Sequence, residues 1–158
     1  MKTKVTISEL TKEDLVDLFS TALCGSQRFS ADYEESIEYD EDACFEDILA
    51  DILLNGGAIF VTDYYAEGCK HRDWATFDED ENAVYRIYLN DVIAGLERAA
   101  NGTFFIPDVE SCNDDWRDRN ISFAKRSFQA MDWNTREWDW LSADCLLQII
   151  LFDEIVYG

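Results

Sequence analysis

Acidic side chains are the residues of this chain whose type and spacing point most directly to a chemical role. Between Asp32 and Asp47, nine of sixteen residues are Asp or Glu and none is Lys or Arg. A second run, from Asp78 to Glu81, is acidic at all four positions. Carboxylates pair with the Arg and Lys side chains that proteins use to bind nucleic-acid phosphates. We therefore interpret the two segments as a surface for a basic partner, with carboxylates in the place of phosphates.

Two groups of residues are candidates for partner binding. The first group consists of the carboxylates in these segments: Glu34, Glu35, Glu38, Asp40, Glu41, Asp42, Asp78, Glu79, Asp80 and Glu81. The second is a tryptophan patch: Trp133, Trp138 and Trp140. Tryptophan is frequent among the residues that dominate binding energy at interfaces. The simpler alternatives are an acidic surface that only faces solvent and a set of Trp rings that covers a small core.

The sequence contains no complete metal or phosphate motif. Cys69 and His71 are the only Cys and His residues that lie close together, whereas a structural zinc site needs four ligands. The segment 78–82 begins like a calcium-binding loop, but Ala83 replaces its glycine and Leu89 its bidentate glutamate. No glycine-rich phosphate loop occurs. We therefore predict no cofactor and no metal.

Two other classes of function stay open. Asp63 and Glu67 lie in or beside a predicted strand, on which Asp63 shares a face with Ile59 and Val61. A half-buried carboxyl group can act as an acid, which would suit a small carboxylate-using hydrolase or metal-dependent enzyme. Such an Asp can equally accept backbone N–H groups at a strand end. An oligomeric adaptor joined through the tryptophan patch is the third class. We expect the chain not to be an enzyme, and a homo-oligomer is left open.

Length and composition limit the remaining choices. The chain has 158 residues, enough for a single domain spanning 1–158, and 47% of them are hydrophobic, which excludes global disorder. Its net charge of −21 argues against direct binding to nucleic acid or to an anionic membrane. Spread evenly over a surface of about 8,000 Å², that charge is several times less dense than on DNA. A nucleic-acid mimic therefore requires the carboxylates to be gathered on one face.

The cellular compartment is also predicted from the sequence. The first residues lack the apolar stretch of a signal peptide, and no apolar run approaches the length of a membrane span. Five cysteines are widely spaced and form no CxxC motif. Reduced thiols of this kind are typical of a cytoplasmic protein.

The spacing of apolar residues predicts the elements that must position these side chains. In the first part of the chain, we expect a strand over 5–10, a helix capped by Thr11 and a polar connection over 26–42. A helix capped by Asp42 follows, and its core face consists of Phe45, Ile48, Leu49, Ile52 and Leu53. We then expect strands over 58–66 and 83–89, a helix capped by Asn90, a helical pattern over 114–131, and a helix or buried strand over 143–156 capped by Ser142. This order predicts an α+β fold: a short antiparallel sheet of about three strands with four to five helices mainly on one face.

Three segments carry a resemblance to known proteins. CFEDILADILLNGG (44–57), VTDYYAEG (61–68) and ADCLLQIILFDEIVYG (143–158) resemble segments of small acidic proteins of bacterial mobile elements, a group whose function is uncharacterised. The resemblance implies a mobile-element setting, in which interference with host or competitor machinery is the expected role. It assigns no catalytic residue.

Overall fold

A computed structural model of the protein describes residues 7, 9–24, 26–65, 75–103 and 140–153. Its elements are α1 (Lys12–Leu23), β1 (Phe29–Asp32), α2 (Phe45–Leu54), β2 (Ile59–Asp63), β3 (Thr76–Phe77), β4 (Ala83–Ile87), α3 (Leu89–Asn101) and α4 (Trp140–Phe152). The strands form one antiparallel sheet in the order β1-β2-β4-β3. The predicted α+β class is confirmed, with four strands in the described residues instead of about three.

One face of the sheet carries the core. Alternate residues of β2 and β4 are buried, and the ring of Tyr85 on β4 is only 1% exposed. From α4, Phe152 packs its ring against Tyr85 and Phe29, with centroid separations of 5.4 and 6.2 Å. The alternation along these two strands directs their buried side chains toward the helices. Within the described part of the chain, no helix is both long and apolar enough to cross a membrane.

Helix α1 begins at the residue that the sequence predicts. Thr11 Oγ1 accepts a hydrogen bond from the backbone N–H of Asp14 at 3.2 Å. In return, Asp14 Oδ2 accepts one from the N–H of Thr11 at 2.9 Å, which completes a capping box. The buried residues follow the predicted spacing: Leu15, Leu18, Phe19 and Ala22.

Replacement of Thr11 by Ala is expected to lower the free energy of unfolding by about 1 kcal/mol, because the N–H of Asp14 loses its side-chain acceptor. Urea unfolding followed by circular dichroism measures the change. The Thr11→Ser variant keeps the hydroxyl oxygen and serves as the control. Equal losses in the two variants would contradict a role for the capping hydrogen bond.

Three predicted helix caps are wrong. Helix α2 is instead capped by Cys44, and Asp42 lies in a preceding turn, where its N–H donates to Asp40 Oδ1 at 3.0 Å. Helix α3 is capped by Tyr88, whose N–H donates to Asp91 Oδ2 at 2.8 Å and starts the helix ahead of Asn90. Helix α4 begins at Trp140, before Ser142.

Two strands lie where the sequence predicts connections. The four residues of β1 fall within the predicted connection 26–42, and the two of β3 fall between the predicted strands 58–66 and 83–89. In the predicted strand 5–10, only Ile7, Glu9 and Leu10 are described, and none of them is in a strand. The N–H of Ile7 donates instead to Glu97 Oε1 on α3 at 2.8 Å. The helical pattern predicted over 114–131 lies outside the described residues.

Helix α4 settles the choice between helix and buried strand for the last apolar segment. It packs tightly on α3, where Arg98 donates from Nη2 to the carbonyl of Ile149 at 2.9 Å and pairs through Nε with Asp153 Oδ1 at 2.6 Å. Two polar residues of α4 are also engaged. Gln148 is fully buried and donates to Asp144 Oδ2 at 2.8 Å, and Arg28 Nη1 lies 3.3 Å from the same oxygen.

Burial raises the pKa of Asp144 above its ordinary value of 3.8, against the opposing effects of Arg28 and Gln148. The folded protein therefore retains a proton that the unfolded chain has released at the same pH. Ionisation of this group opposes folding, so its contribution to stability falls as the pH rises through and above 3.8. We expect the unfolding free energy of the wild type to fall relative to Asp144→Asn over that range. A carboxyl ¹³C titration with a midpoint at or below 3.8 would contradict this assignment.

Candidate functional site

The first acidic segment leaves the sheet at the end where β1 finishes and β2 begins. In the sheet register, Asp32 pairs with Phe60, and Phe60 pairs with Arg86. The chain then continues as residues 33–43, here called the acidic connection, which leads to α2. Its start is held by Glu34, whose Oε1 lies 3.6 Å from Arg86 Nη2. The Arg86 guanidinium also lies over the rings of Phe60 and Tyr88, at 5.9 and 5.6 Å from their centroids.

Turns within the acidic connection direct its carboxylates outward. The N–H of Ile37 donates to the carbonyl of Glu34 at 3.0 Å, and the N–H of Ala43 donates to that of Asp40 at 3.0 Å. Five carboxylate residues are exposed and, among the described residues, have no basic side chain within 4.0 Å: Glu35, Glu38, Asp40, Glu41 and Asp42. Their negative charge is therefore left for solvent, counterions or a partner.

An aromatic cluster borders these carboxylates. The ring of Tyr33 meets that of Tyr39 edge-on at 5.3 Å and lies 5.9 Å from that of Phe45. Partial burial, with further effects from Tyr39 and Asp32, raises the pKa of Tyr33 from 10.0 to about 12. Tyr39 and Phe45 remain 51% and 40% exposed. The acidic connection thus presents apolar contact area together with charge.

A groove separates the acidic connection from α2, with a volume of about 410 Å³. Its apolar part is formed by Ile37 from the connection and by Ile48 and Ile52 from α2. Three carboxylates lie along it, those of Glu38, Asp40 and Asp51. Its remaining lining residues are Tyr39, Ala43, Asn55 and Gly57. The last turn of α2 has no basic residue, so the partial negative charge of its C-terminus adds to that of the carboxylates.

One of these carboxylates already binds an ammonium group. Lys12 Nζ, from the start of α1, lies 3.1 Å from Asp51 Oδ1 and 4.0 Å from Asp47 Oδ1. Both ends of this contact are about half exposed, so water and salt weaken it. The contact shows how the carboxylates of Asp47 and Asp51 on α2 bind a lysine ammonium group.

The second acidic segment is the loop between β3 and β4, and one of its carboxylates is used internally. Asp78 Oδ1 accepts from the N–H groups of Asp80 and Asn82 at 3.0 and 2.8 Å, and Oδ2 accepts from Asn82 Nδ2 at 3.2 Å. Asp78 therefore shapes the loop, whereas Glu79, Asp80 and Glu81 are exposed. In the described residues, no group of three or more potential ligands is arranged to hold a metal ion.

Glu81 has a φ of 64°, in the left-handed region that side chains with a Cβ disfavour. The Glu81→Gly variant is expected to gain about 1 kcal/mol in unfolding free energy, since glycine adopts this conformation without the steric penalty. Glu79→Gly is the matched control, with the same charge change and no positive φ to relieve. Thermal unfolding of both variants measures the effect, and a gain of equal size in the control would reject the strain argument.

The two acidic segments lie at opposite ends of the sheet. Ala83, which follows the loop 78–82, pairs with Asp63, whereas Arg86, which contacts the acidic connection, pairs with Phe60. Ala83 and Arg86 are three residue steps apart on β4, about 10 Å along the strand. The structure thus groups the candidates from Glu34 to Asp42 at one end and those from Asp78 to Glu81 at the other.

The structure describes only some of the other candidates. Asp63 is 2% exposed at the end of β2, and its Oδ1 accepts from the N–H of Tyr65 at 2.9 Å, as expected for a carboxylate that satisfies backbone groups. Glu67, Cys69, His71, Trp133 and Trp138 lie outside the described residues. Trp140 is placed by its backbone as the first residue of α4, but its side chain is not described.

Sequence reasoning missed the groove. Ile48 and Ile52 have the spacing of core residues, and the pattern gives no sign that they also border a cleft. Nothing in the sequence distinguishes Asp51 from the many other acids near it. One signal for the groove was available in the sequence: the last turn of α2 contains no basic residue to balance the negative charge at the C-terminus of the helix.

Comparisons with known proteins give no match, whether to a protein-family model, a curated protein or a solved structure. The resemblance to proteins of bacterial mobile elements therefore stays a prediction.

Proposed function

We propose that this protein binds a basic protein through the acidic connection and so occupies a surface that its partner uses for nucleic acid. The observation that carries the proposal is the set of exposed carboxylates between Glu35 and Asp42, which face no basic side chain within the described residues. Oppositely charged surfaces accelerate association and select the partner by its charge pattern.

The neighbouring aromatic side chains support a protein partner. Tyr39 and Phe45 expose apolar surface directly beside the carboxylates, and aromatic residues are enriched at protein interfaces. Charge alone gives an attraction that salt largely screens at separations beyond about 8 Å at physiological ionic strength. Apolar contacts add affinity that salt does not remove. We therefore expect binding that weakens with salt but is not abolished by it.

The burial and hydrogen bonding of Asp63 favour this function over a carboxylate-based enzyme. Its Oδ1 already accepts a backbone N–H, and its side chain is almost wholly buried. A general acid must instead reach its substrate. The separation of the acidic segments further favours the acidic connection as the principal surface, with Glu79, Asp80 and Glu81 as a separate and smaller one.

The proposal is tested by comparing two variants of equal charge. E35Q/E38Q/E41Q removes three charges from the acidic connection. E9Q/E13Q/D17N removes three exposed carboxylates from residues before and within α1. Each protein is immobilised and exposed to bacterial DNA-binding proteins that have been purified on duplex DNA. Proteins retained by the wild type are identified, purified and titrated against all three forms.

We expect the first variant to bind a retained partner at least about tenfold more weakly and the second to bind nearly as well as the wild type, because only the first loses contacts at the interface. Soluble duplex DNA should release the partner. Equal weakening in the two variants would reject a localised surface. Simultaneous binding of DNA and this protein to the partner would reject occupation of the nucleic-acid site.

A further inference from the structure

The groove beside the acidic connection combines two features that suit a side chain with an apolar stem and a cationic head. The half-buried Ile37 and the small exposed parts of Ile48 and Ile52, 6% and 7% of each residue, supply apolar surface, and the acidic residues Glu38 and Asp40 supply negative charge. A lysine side chain has a matching division, with an apolar four-carbon stem and a compact ammonium head. Neither a purely apolar residue nor a short cation would use both parts.

Two observations favour a cation here. The carboxylates of Glu38 and Asp40 have no basic side chain within 4.0 Å in the described part of the chain. The C-terminus of α2 adds partial negative charge, with no basic residue in its last turn. The charge of the groove is therefore complementary to an ammonium group.

The size of the groove limits the occupant further. Its volume of about 410 Å³ is near the lower end of the range for small-molecule pockets. This volume is large enough for one side chain with the adjoining backbone of an extended peptide, and a peptide bound there would lie along the exposed carboxylates. Ala43, which is exposed and lines the groove, offers a site from which the groove can be filled without any change of charge.

We propose that the groove receives one lysine side chain of the basic partner, with the stem against the three isoleucines and the ammonium group between Glu38 and Asp40. This inference rests on the proposed function, since it names the part of a basic partner that the acidic connection recognises.

The test uses three synthetic peptides, Dab-Dab-Ser-Xaa-Ser-Dab-Dab, in which Dab is 2,4-diaminobutyrate. The central Xaa is Lys, Dab or norleucine. Dab keeps the charge of lysine but lacks two methylene groups, and norleucine keeps a four-carbon stem but lacks the charge. Calorimetric titration at pH 6.5, where the amines are protonated, gives the affinity of each peptide for the wild type, Ala43→Phe and E35Q/E38Q/E41Q.

We expect the central Lys peptide to bind the wild type about tenfold more tightly than the central Dab peptide, because burial of two methylene groups is worth about that factor. Ala43→Phe should remove this preference and leave the salt-dependent binding of both peptides. Amide NMR shifts at Ile48, Ile52 and Gly57 should respond to the Lys peptide and much less to the Dab peptide. This second measurement uses only the wild type, so it does not depend on how the variant folds.

The two proposals fail in different ways. Equal affinity for the Lys and Dab peptides, with loss of binding in E35Q/E38Q/E41Q, would overturn the lysine groove and leave the acidic surface standing. Tighter binding of the norleucine peptide would assign the groove to an apolar side chain and overturn the inference. No measurable binding of any peptide, or unchanged binding in E35Q/E38Q/E41Q, would overturn the lysine groove and count against the acidic surface as well.

Discussion

The Phe152→Ala variant is expected to lose about 3–5 kcal/mol of unfolding free energy. The ring is 5% exposed and packs between Phe29 on β1 and Tyr85 on β4. Its removal leaves a cavity between α4 and two strands and breaks two aromatic contacts, each worth about 0.5–1.5 kcal/mol beyond burial. Domains of this size have a total stability of about 5–15 kcal/mol, so the loss is a large part of the whole.

Urea unfolding followed by circular dichroism measures this loss. Phe77→Ala is the matched control, since Phe77 is 54% exposed and the same atoms are removed. We expect it to cost less than about 1 kcal/mol. Phe152→Leu keeps most of the apolar volume, so its loss of unfolding free energy should lie between those of Phe152→Ala and Phe77→Ala. A loss at Phe152 no greater than that at Phe77 would show that α4 does not close the core through this ring.

The second large effect is expected at Gly95, where α3 meets α4. A Cβ atom added at this position would lie 2.4 Å from Ile150 Cγ1 and 2.8 Å from Ile150 Cα. The second of these atoms belongs to the backbone, so a change of rotamer does not relieve the clash. Alanine is preferred over glycine in a helix by about 1 kcal/mol. The clash outweighs this gain, and we expect Gly95→Ala to lose about 1–3 kcal/mol.

A double variant separates the clash from other effects. Ile150→Ala removes Cγ1 but leaves the backbone of residue 150 in place, so G95A/I150A should cost less than the sum of the single changes. The exposed Asn90, also on α3, provides a control for helix propensity, and Asn90→Ala should change stability by less than about 0.5 kcal/mol. Additive losses at Gly95 and Ile150 would show that the two residues do not meet.

The long amphipathic elements could be predicted because local spacing determines them. The α2 pattern predicted burial of Ile48, Leu49, Ile52 and Leu53, and all four are buried. Phe45 belongs to the same pattern but is 40% exposed, since it begins the helix and packs beside Tyr33 on the acidic connection. Periodicity gives the face on which a residue lies and does not show how far the neighbouring layer extends over it.

The short strands could not be predicted from local pattern. In β1, only Phe29 is buried, and the strand forms because β2 offers it hydrogen-bonding partners from Phe60 to Asp63. Such a strand depends on its neighbour more than on its own residues. The acidic residues themselves were evident from the sequence, but their separation at the two ends of the sheet depends on the register of β2 and β4.

Helix α4 also has a consequence for how the protein is made. Its residues follow α3 by almost forty positions in the chain, yet they pack against Phe29, Tyr85 and Gly95, all of which are synthesised earlier. At bacterial and eukaryotic elongation rates, the interval from the end of α3 to the end of α4 takes about 3–10 s. During that time Phe29, Tyr85 and Gly95 lack the helix that packs against them, and we expect this apolar surface to make the nascent chain a substrate for chaperones that act on translating ribosomes.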